Sequence, residues 1–137
     1  MRYVLVLAAL LLSFGTQAGE LKLVFHGKGI AGQTVRAALY NSREQFGSED
    51  KFFKSVIVTA TGDSVTAIIP DVPVGKYAVA AYADSNNNGK QDTNFFGKPT
   101  ELYGFSNDAR AMFGLPDYAE ALFEVGTGTA AQLIHLQ

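Results

Sequence analysis

Cysteine is absent from this sequence, and histidine occurs only twice, as His26 and His135. A chain without cysteine can form neither a disulfide nor a thiolate metal site, and two histidines are too few for a histidine-rich catalytic metal centre. Both histidines fall in segments that we predict to be strands near a sheet edge. The folded chain must therefore rely on its hydrophobic core and on any ion that it binds through oxygen atoms.

Neither sign of charge dominates the sequence. It has 11 basic and 13 acidic residues, and without Arg2 the balance is 10 basic against 13 acidic. Nucleic acids and anionic membranes attract strongly basic surfaces, which this composition does not provide. We predict no nucleic-acid partner, and the sequence leaves open which extracellular or envelope ligand or protein the chain meets.

A hydrophobic run long enough to span a bilayer is also missing. The apolar run extends from Val4 to Leu12, whereas a transmembrane helix needs roughly 20 residues. Arg2 precedes this run and the small residues of Gly15 to Ala18 follow it, which is the order of a secretory signal peptide. We predict that residues 1–18 are a signal peptide, that no membrane span remains after cleavage, and that residues 19–137 form one domain in the periplasm or outside the cell. The alternative is an uncleaved anchor helix.

Alternation of apolar and polar residues runs through most of the remaining chain. Leu21, Leu23 and Phe25 occupy every second position of the first such segment, and comparable segments cover residues 35–40, 56–59, 65–69, 77–83, 121–125 and 132–136. We expect Pro70 to end the fourth strand, because proline has no N–H to donate. We expect the last two strands to form a hairpin around the turn at 126–129. About seven short strands with little helix predict an all-β fold, a single antiparallel β-sandwich.

One long connection, residues 95–123, interrupts this pattern of strands. It contains half of the 14 aromatic residues that follow Ala18. Long connections without regular structure are uncommon in compact domains and are often functional. We predict that this aromatic-rich loop is a flap whose rings seal the sandwich. The alternative is a surface on which exposed rings stack against sugars or another flat apolar ligand.

The strongest chemical signal is the loop that follows the fifth predicted strand. Its sequence from Asp84 to Asp92 reads D-x-N-x-N-G-x-x-D, the first part of an EF-hand calcium loop. Gly89 stands where that loop turns sharply, but Phe95 replaces the bidentate glutamate of the twelfth place. Glu101 or Asn94 would have to supply the missing oxygen. The calcium ligands that we predict are the side chains of Asp84, Asn86, Asn88 and Asp92 and the backbone carbonyl of Lys90. The alternative is an Asn-Gly turn without a metal.

Four motifs occur in an order that resembles the domain-of-unknown-function family 2141 (DUF2141). They are the segments 73–77 (P-V-G-K-Y), 84–94, 103–107 (Y-G-F-S-N) and 113–116 (F-G-L-P). The resemblance covers nearly all of the chain after the signal peptide. It implies a small exported bacterial protein with a transthyretin-like or immunoglobulin-like sandwich. It implies no reaction, because the family has no established activity.

An enzymatic function finds little support in the sequence. Ser106 stands in G-F-S-N-D, which resembles the nucleophile elbow G-x-S-x-G, but Asp108 replaces the second glycine. We expect Arg110 to form a surface ion pair with Asp108 or Asp117 rather than to bind an anion. We therefore predict a non-catalytic exported module, with calcium as its one candidate cofactor. The alternative is a carbohydrate- or surface-ligand-binding module that uses the aromatic-rich loop, and a hydrolase is a distant third.

Overall fold

A computed structural model describes residues 17–93 and 99–137. It contains eight strands, a 3-10 turn and one short helix. In chain order these are β1 (Ala18–His26), β2 (Thr34–Tyr40), β3 (Lys54–Thr59), β4 (Ser64–Pro73), β5 (Gly75–Asp84), β6 (Tyr103–Phe105), the 3-10 turn Ser106–Asp108, α1 (Tyr118–Ala121), β7 (Phe123–Val125) and β8 (Thr129–His135). The predicted all-β sandwich is confirmed. The predicted signal peptide lies almost entirely outside the described residues.

The strands form two sheets that pack face to face. The smaller sheet has the order β4-β1-β8, and the larger has the order β3-β2-β5-β6, with β7 paired to the start of β5. Every second residue of the central strands faces the other sheet, because side chains alternate along a strand. The fully buried core residues include Leu21, Leu23 and Phe25 of β1, opposite Val35 and Leu39 of β2. This alternation is what made the strands recognisable in the sequence.

The prediction of a final hairpin is wrong. β7 pairs with β5 in the larger sheet, whereas β8 crosses to the smaller sheet and runs parallel to β1. The turn at 126–129 therefore connects two sheets. Alternation shows which residues of a strand face the core, but it does not identify the neighbouring strand, and proximity in sequence suggested the wrong one.

The prediction that Pro70 ends the fourth strand is also wrong, since β4 continues to Pro73. The register shifts at this point: Leu21 lies opposite Ile69, whereas Gly19 lies opposite Val72. Pro70 and Asp71 therefore form a bulge opposite one residue of β1. A bulge on an edge strand tolerates proline because the ladder is already interrupted there. Lys54 donates hydrogen bonds to both bulge carbonyls, at 3.2 Å and 3.0 Å.

Part of the aromatic-rich loop folds back onto the outer face of the larger sheet. There it forms a second buried cluster of residues Tyr40, Phe46, Ala78, Phe105, Ala109 and Ala121. Phe46 lies at the centre of this cluster and makes edge-to-face contacts with Phe105 and with Tyr118. Gly104 faces β8 so closely that a Cβ atom there would collide with the carbonyl of His135. Of the predicted flap, Phe95 and Phe96 lie outside the described residues.

No helix within residues 17–93 or 99–137 is both long enough and apolar enough to cross a membrane.

Two phenylalanines of the same loop give a direct test of its structural role. Phe105 is 7 % exposed, whereas Phe113 is 87 % exposed. Removing a buried phenylalanine ring costs about 3–5 kcal/mol. We expect Phe105→Ala to lower the thermal midpoint by roughly 10 °C or more, and we expect Phe113→Ala to melt like the parent. Equal midpoints for Phe105→Ala and the parent would contradict the assignment of Phe105 to the core.

Candidate functional site: the loop from Asp84 to Asp92

The loop begins at a buried ion pair on the outer face of the larger sheet. Asp84 is the last residue of β5, and it lies opposite Thr34 of β2. Arg36 is two residues further along β2 and points to the same face, so the two side chains are diagonal neighbours. Arg36 Nε lies 2.7 Å from Asp84 Oδ2, and the Asp84 side chain has no exposed surface. The guanidinium also donates to Asn87 Oδ1, at 3.1 Å.

Asp84 remains a carboxylate in spite of its burial. Burial alone would raise its pKa, but the hydrogen bond from Arg36 and those from the backbone N–H groups of Gly89 and Asn88 outweigh it, so the pKa lies below its ordinary value. The Asn88 N–H donates to Oδ1 at 3.2 Å, and the Gly89 N–H donates to Oδ2 at 2.8 Å. The negative charge of Asp84 thus turns the chain back over the end of the strand.

The polar side chains of the loop converge on Asp92. Asn86 Nδ2 and Asn88 Nδ2 donate to the two oxygens of the Asp92 carboxylate, at 2.5 Å and 2.8 Å. The Lys90 N–H donates to Asn88 Oδ1 at 3.0 Å, so Lys90 belongs to the same turn. Gly89, with φ of +77°, takes the left-handed conformation that favours glycine.

Glu101 closes the loop at its base. Its side chain is buried, and its two oxygens accept from the backbone N–H groups of Ser85 and Asp92, each at 2.7 Å. The carboxylate therefore joins the first and last parts of the loop. The sequence suggested that Glu101 could complete the calcium ligands. In the structure its carboxylate lies under the loop and holds the two ends of the loop together through hydrogen bonds.

The loop brings the predicted ligands together, and its donor chemistry fits calcium. Carboxylate, amide and carbonyl oxygens are the atoms that bind this ion. Within residues 17–93 and 99–137, no three His, Asp or Glu side chains are grouped as a metal site, so an ion would also need oxygens from Asn86 and Asn88. Their amide nitrogens face Asp92 and would have to turn away. Asn94 and Phe95 lie outside the described residues.

Arg36 was missed as a member of this site. Its only signal in the sequence is a charged residue at an outward position of an alternating strand, and many such residues are solvated. The pairing depends on the register of β2 against β5, which brings together residues 48 positions apart.

The hydroxyl of Ser106 makes hydrogen bonds that connect parts of the fold. It is fully buried, its Oγ accepts from the Val79 N–H at 2.9 Å, and its hydroxyl donates to the Ala121 carbonyl. The hydroxyl thus ties β5 to α1.

The remaining candidates for catalysis are paired with other groups. His26 Nδ1 lies 2.8 Å from Ser64 Oγ, and His135 Nδ1 lies 2.8 Å from Asp108 Oδ2. In place of the ion pair expected for Arg110, its guanidinium donates to the Tyr103 carbonyl and lies over the Tyr103 ring, 4.5 Å from the centroid.

Together, the fold and the loop define a β-sandwich module with an Asp/Asn-rich loop at one end of its larger sheet. A family model described as an uncharacterized protein conserved in bacteria, DUF2141, matches residues 28–132. The chain therefore belongs to the DUF2141 family, as the four sequence motifs indicated. No curated protein and no solved structure matches the chain.

The lowered pKa values of Asp84 and Asp108 predict a loss of stability in acid. Burial opposes the shift at Asp108, and the hydrogen bonds from the His135 backbone and ring outweigh it. Because the folded-state pKa lies below the unfolded value of 3.8, the unfolded chain binds protons first. The contribution of these carboxylates to the free energy of unfolding is complete above the unfolded-state pKa. It is lost as the pH falls through the folded-state pKa.

Urea unfolding at a series of pH values measures this dependence. We expect Asp84→Asn to lower the unfolding free energy at neutral pH by about 3 kcal/mol, because it leaves Arg36 without its buried partner. It should also show a shallower loss in acid. Asp117→Asn, an exposed carboxylate at the start of α1, is the matched control and should match the parent at neutral pH. A parent-like acid profile for Asp84→Asn would contradict the role of that carboxylate.

Proposed function

We propose that the protein is a non-catalytic exported β-sandwich module whose Asp84–Asp92 loop is stabilised by calcium. The observation that carries the proposal is that the side chains of Asn86 and Asn88 both lie within hydrogen-bond distance of the Asp92 carboxylate, so that their oxygens could meet at one ion once the two amide groups turn. The side chains of Asp84, Asn86, Asn88 and Asp92 and the carbonyl of Lys90 would hold the ion. Glu101, at the base of the loop, would support them or complete the set.

The buried hydrogen bonds of the Ser106 hydroxyl support a non-catalytic role. A serine nucleophile needs a base within hydrogen-bond reach and an open path to a substrate. The hydroxyl of Ser106 is instead buried between Val79 and Ala121. The two histidine pairs, His26 with Ser64 and His135 with Asp108, lie at exposed positions.

The alternative, ligand binding by the aromatic-rich loop, is supported by the exposed ring of Phe113 in the part of the loop that the structure describes. Phe113 is 87 % exposed, and Met112 beside it is 90 % exposed. Phe105 is buried, and Tyr103 and Tyr118 are half-buried against the second cluster. Tyr103 and Phe105 meet edge to face, at an interplanar angle of 76°. A flat ligand stacks on coplanar exposed rings, so these contacts favour the structural role for the loop.

The order of residues at the N-terminus supports export. Arg2, the apolar run and the small residues before Gly19 occur in the order of a secretory signal peptide, and the first buried apolar side chain of the fold is that of Leu21. N-terminal sequencing of exported protein should begin at Gly19, and a retained Met1 would contradict export by this route.

The transthyretin-like or immunoglobulin-like assignment rests on the two packed sheets, and the parallel pairing of β1 with β8 separates this chain from a purely antiparallel arrangement.

Thermal unfolding with calcium and with a chelator tests the calcium site. With two carboxylates and no bidentate glutamate among the loop ligands, we expect a dissociation constant of ~0.1–1 mM, typical of weak extracellular sites. Calcium at ~2 mM should then add ~0.6–1.8 kcal/mol and raise the thermal midpoint by roughly 2–7 °C. Magnesium should add less, because it gives up its water reluctantly.

The informative variant for this test is Asp92→Asn. Asp84→Ala would also break the ion pair with Arg36, so it confounds calcium binding with stability, whereas the contacts of the Asp92 carboxylate within the described residues are to the amides of Asn86 and Asn88. We expect Asp92→Asn to lose most of the calcium-dependent rise and Asp117→Asn to retain it. Coincident melts of the parent with calcium and with chelator would remove calcium from the proposal and leave a self-closed polar turn.

A further inference from the structure

A cavity of about 330 Å³ opens on the outer face of the larger sheet, next to the loop. Its floor is a row of small side chains that crosses three strands. Ala38 of β2 lies opposite Ser55 of β3 on one side and Ala80 of β5 on the other. Three small residues in one row leave a depression, because the flanking side chains rise above the sheet. The volume is at the small end of the range for ligand sites, which is ≈ 300–1,000 Å³.

Bulky side chains surround this floor. Arg36 lies opposite Ile57 and Tyr82, and Tyr82 lies opposite Tyr103, so the neighbouring row of the same sheet face forms one wall. The segment between β2 and β3 forms another wall, which includes Glu49 and Phe52, and Leu115 of the aromatic-rich loop also lines the cavity. The floor and one wall come from the sheet, and the other walls come from the segment between β2 and β3 and from the aromatic-rich loop.

The charges in the cavity disfavour a ligand with a net charge. Arg36 and Glu49 line the cavity with opposite signs, so neither an anion nor a cation meets a lining of one opposite charge. Burial, followed by the charge of Asp84, raises the pKa of Tyr82 to about 12, so this phenol stays neutral and both donates and accepts at neutral pH.

The remaining polar groups suit hydroxyl groups. Ser55, Tyr103 and Gln91 line the cavity, and hydroxyl and carboxamide side chains can each donate and accept hydrogen bonds. Alanine methyl groups and the Phe105 ring supply apolar surface beside them. A ring with an apolar face and hydroxyl groups around its edge complements both kinds of surface.

We propose that this cavity binds a small neutral molecule with a hydroxylated ring, such as a single sugar unit, on the floor formed by Ala38, Ser55 and Ala80. The proposal does not require calcium, because the floor belongs to the sheet, although Gly89 and Gln91 of the Asp84–Asp92 loop also line the cavity. It differs from ligand stacking on exposed rings, because the aromatic-rich loop lines the cavity with Tyr103, Phe105 and Leu115, whereas the exposed Phe113 does not line it.

Saturation-transfer NMR with glucose and N-acetylglucosamine, in chelator and in calcium, tests the proposal. We expect saturation transfer to at least one of these sugars in both conditions. Amide shift changes on the labelled protein should fall on Ala38, Ser55, Ala80 and Gln91. Ala38→Leu places bulk on the floor, where Ala38 is half-buried beside the second cluster, and we expect it to weaken binding by about tenfold or more. Ala131→Leu, on an exposed position of β8, adds the same bulk elsewhere and should bind like the parent.

Three results would overturn the proposal. They are the absence of transfer to both sugars, shift changes confined to residues 111–113, and parent-like binding by a folded Ala38→Leu variant. Choline and acetate serve as cationic and anionic probes, and binding of either one without binding of a sugar would contradict the neutral class. If Ala38→Leu fails to fold, the amide shift map of the parent decides the location by itself. Sugar binding in the presence of chelator, together with melts that do not change with calcium, would support the cavity proposal and contradict the calcium proposal.

Discussion

The ion pair between Arg36 and the buried carboxylate of Asp84 joins the larger sheet, the Asp84–Asp92 loop and the outer-face cavity. It connects the two central strands of the larger sheet, β2 and β5, at the end where the loop begins. From there the carboxylate accepts the N–H groups that turn the loop, and the guanidinium forms part of the cavity wall. A buried ion pair adds little net stability by comparison with apolar packing, but removing one partner is costly. Its main effect here is to hold the loop and the sheet face in one arrangement.

The loop illustrates how a short polar segment can be ordered without a metal. Carboxylates at Asp84 and Glu101 accept backbone N–H groups from both ends of the loop, which meets the requirement that buried polar groups find partners. Calcium would have to replace some of these contacts with ion–oxygen contacts. The gain from binding is then the difference between two well-bonded states, in keeping with a weak site.

The two faces of the larger sheet have different chemical roles. The inner face carries apolar residues of the core, including Val35, Leu39 and Val79, whereas the outer face combines alanines and tyrosines with the charged side chain of Arg36. Segments from both halves of the chain cover part of the outer face and leave the cavity between them. The concentration of rings in the aromatic-rich loop follows from this arrangement, since Phe105 and Tyr118 pack around Phe46 over an otherwise exposed sheet.

The sequence by itself determined the class of fold, the positions of most strands and which residues form the loop from Asp84 to Asp92. Those features depend on local patterns: alternation of Leu21, Leu23 and Phe25 marks a strand, and oxygen-bearing residues around Gly89 mark a tight polar loop. Tertiary structure alone decided which strands are neighbours, and hence the parallel pairing of β8 with β1 and the bulge at Pro70. The same register brings Arg36 to Asp84 and sets Ala38 between Ser55 and Ala80. Contacts of this kind join residues far apart in the chain, and alternation specifies the face of each strand but not its partner.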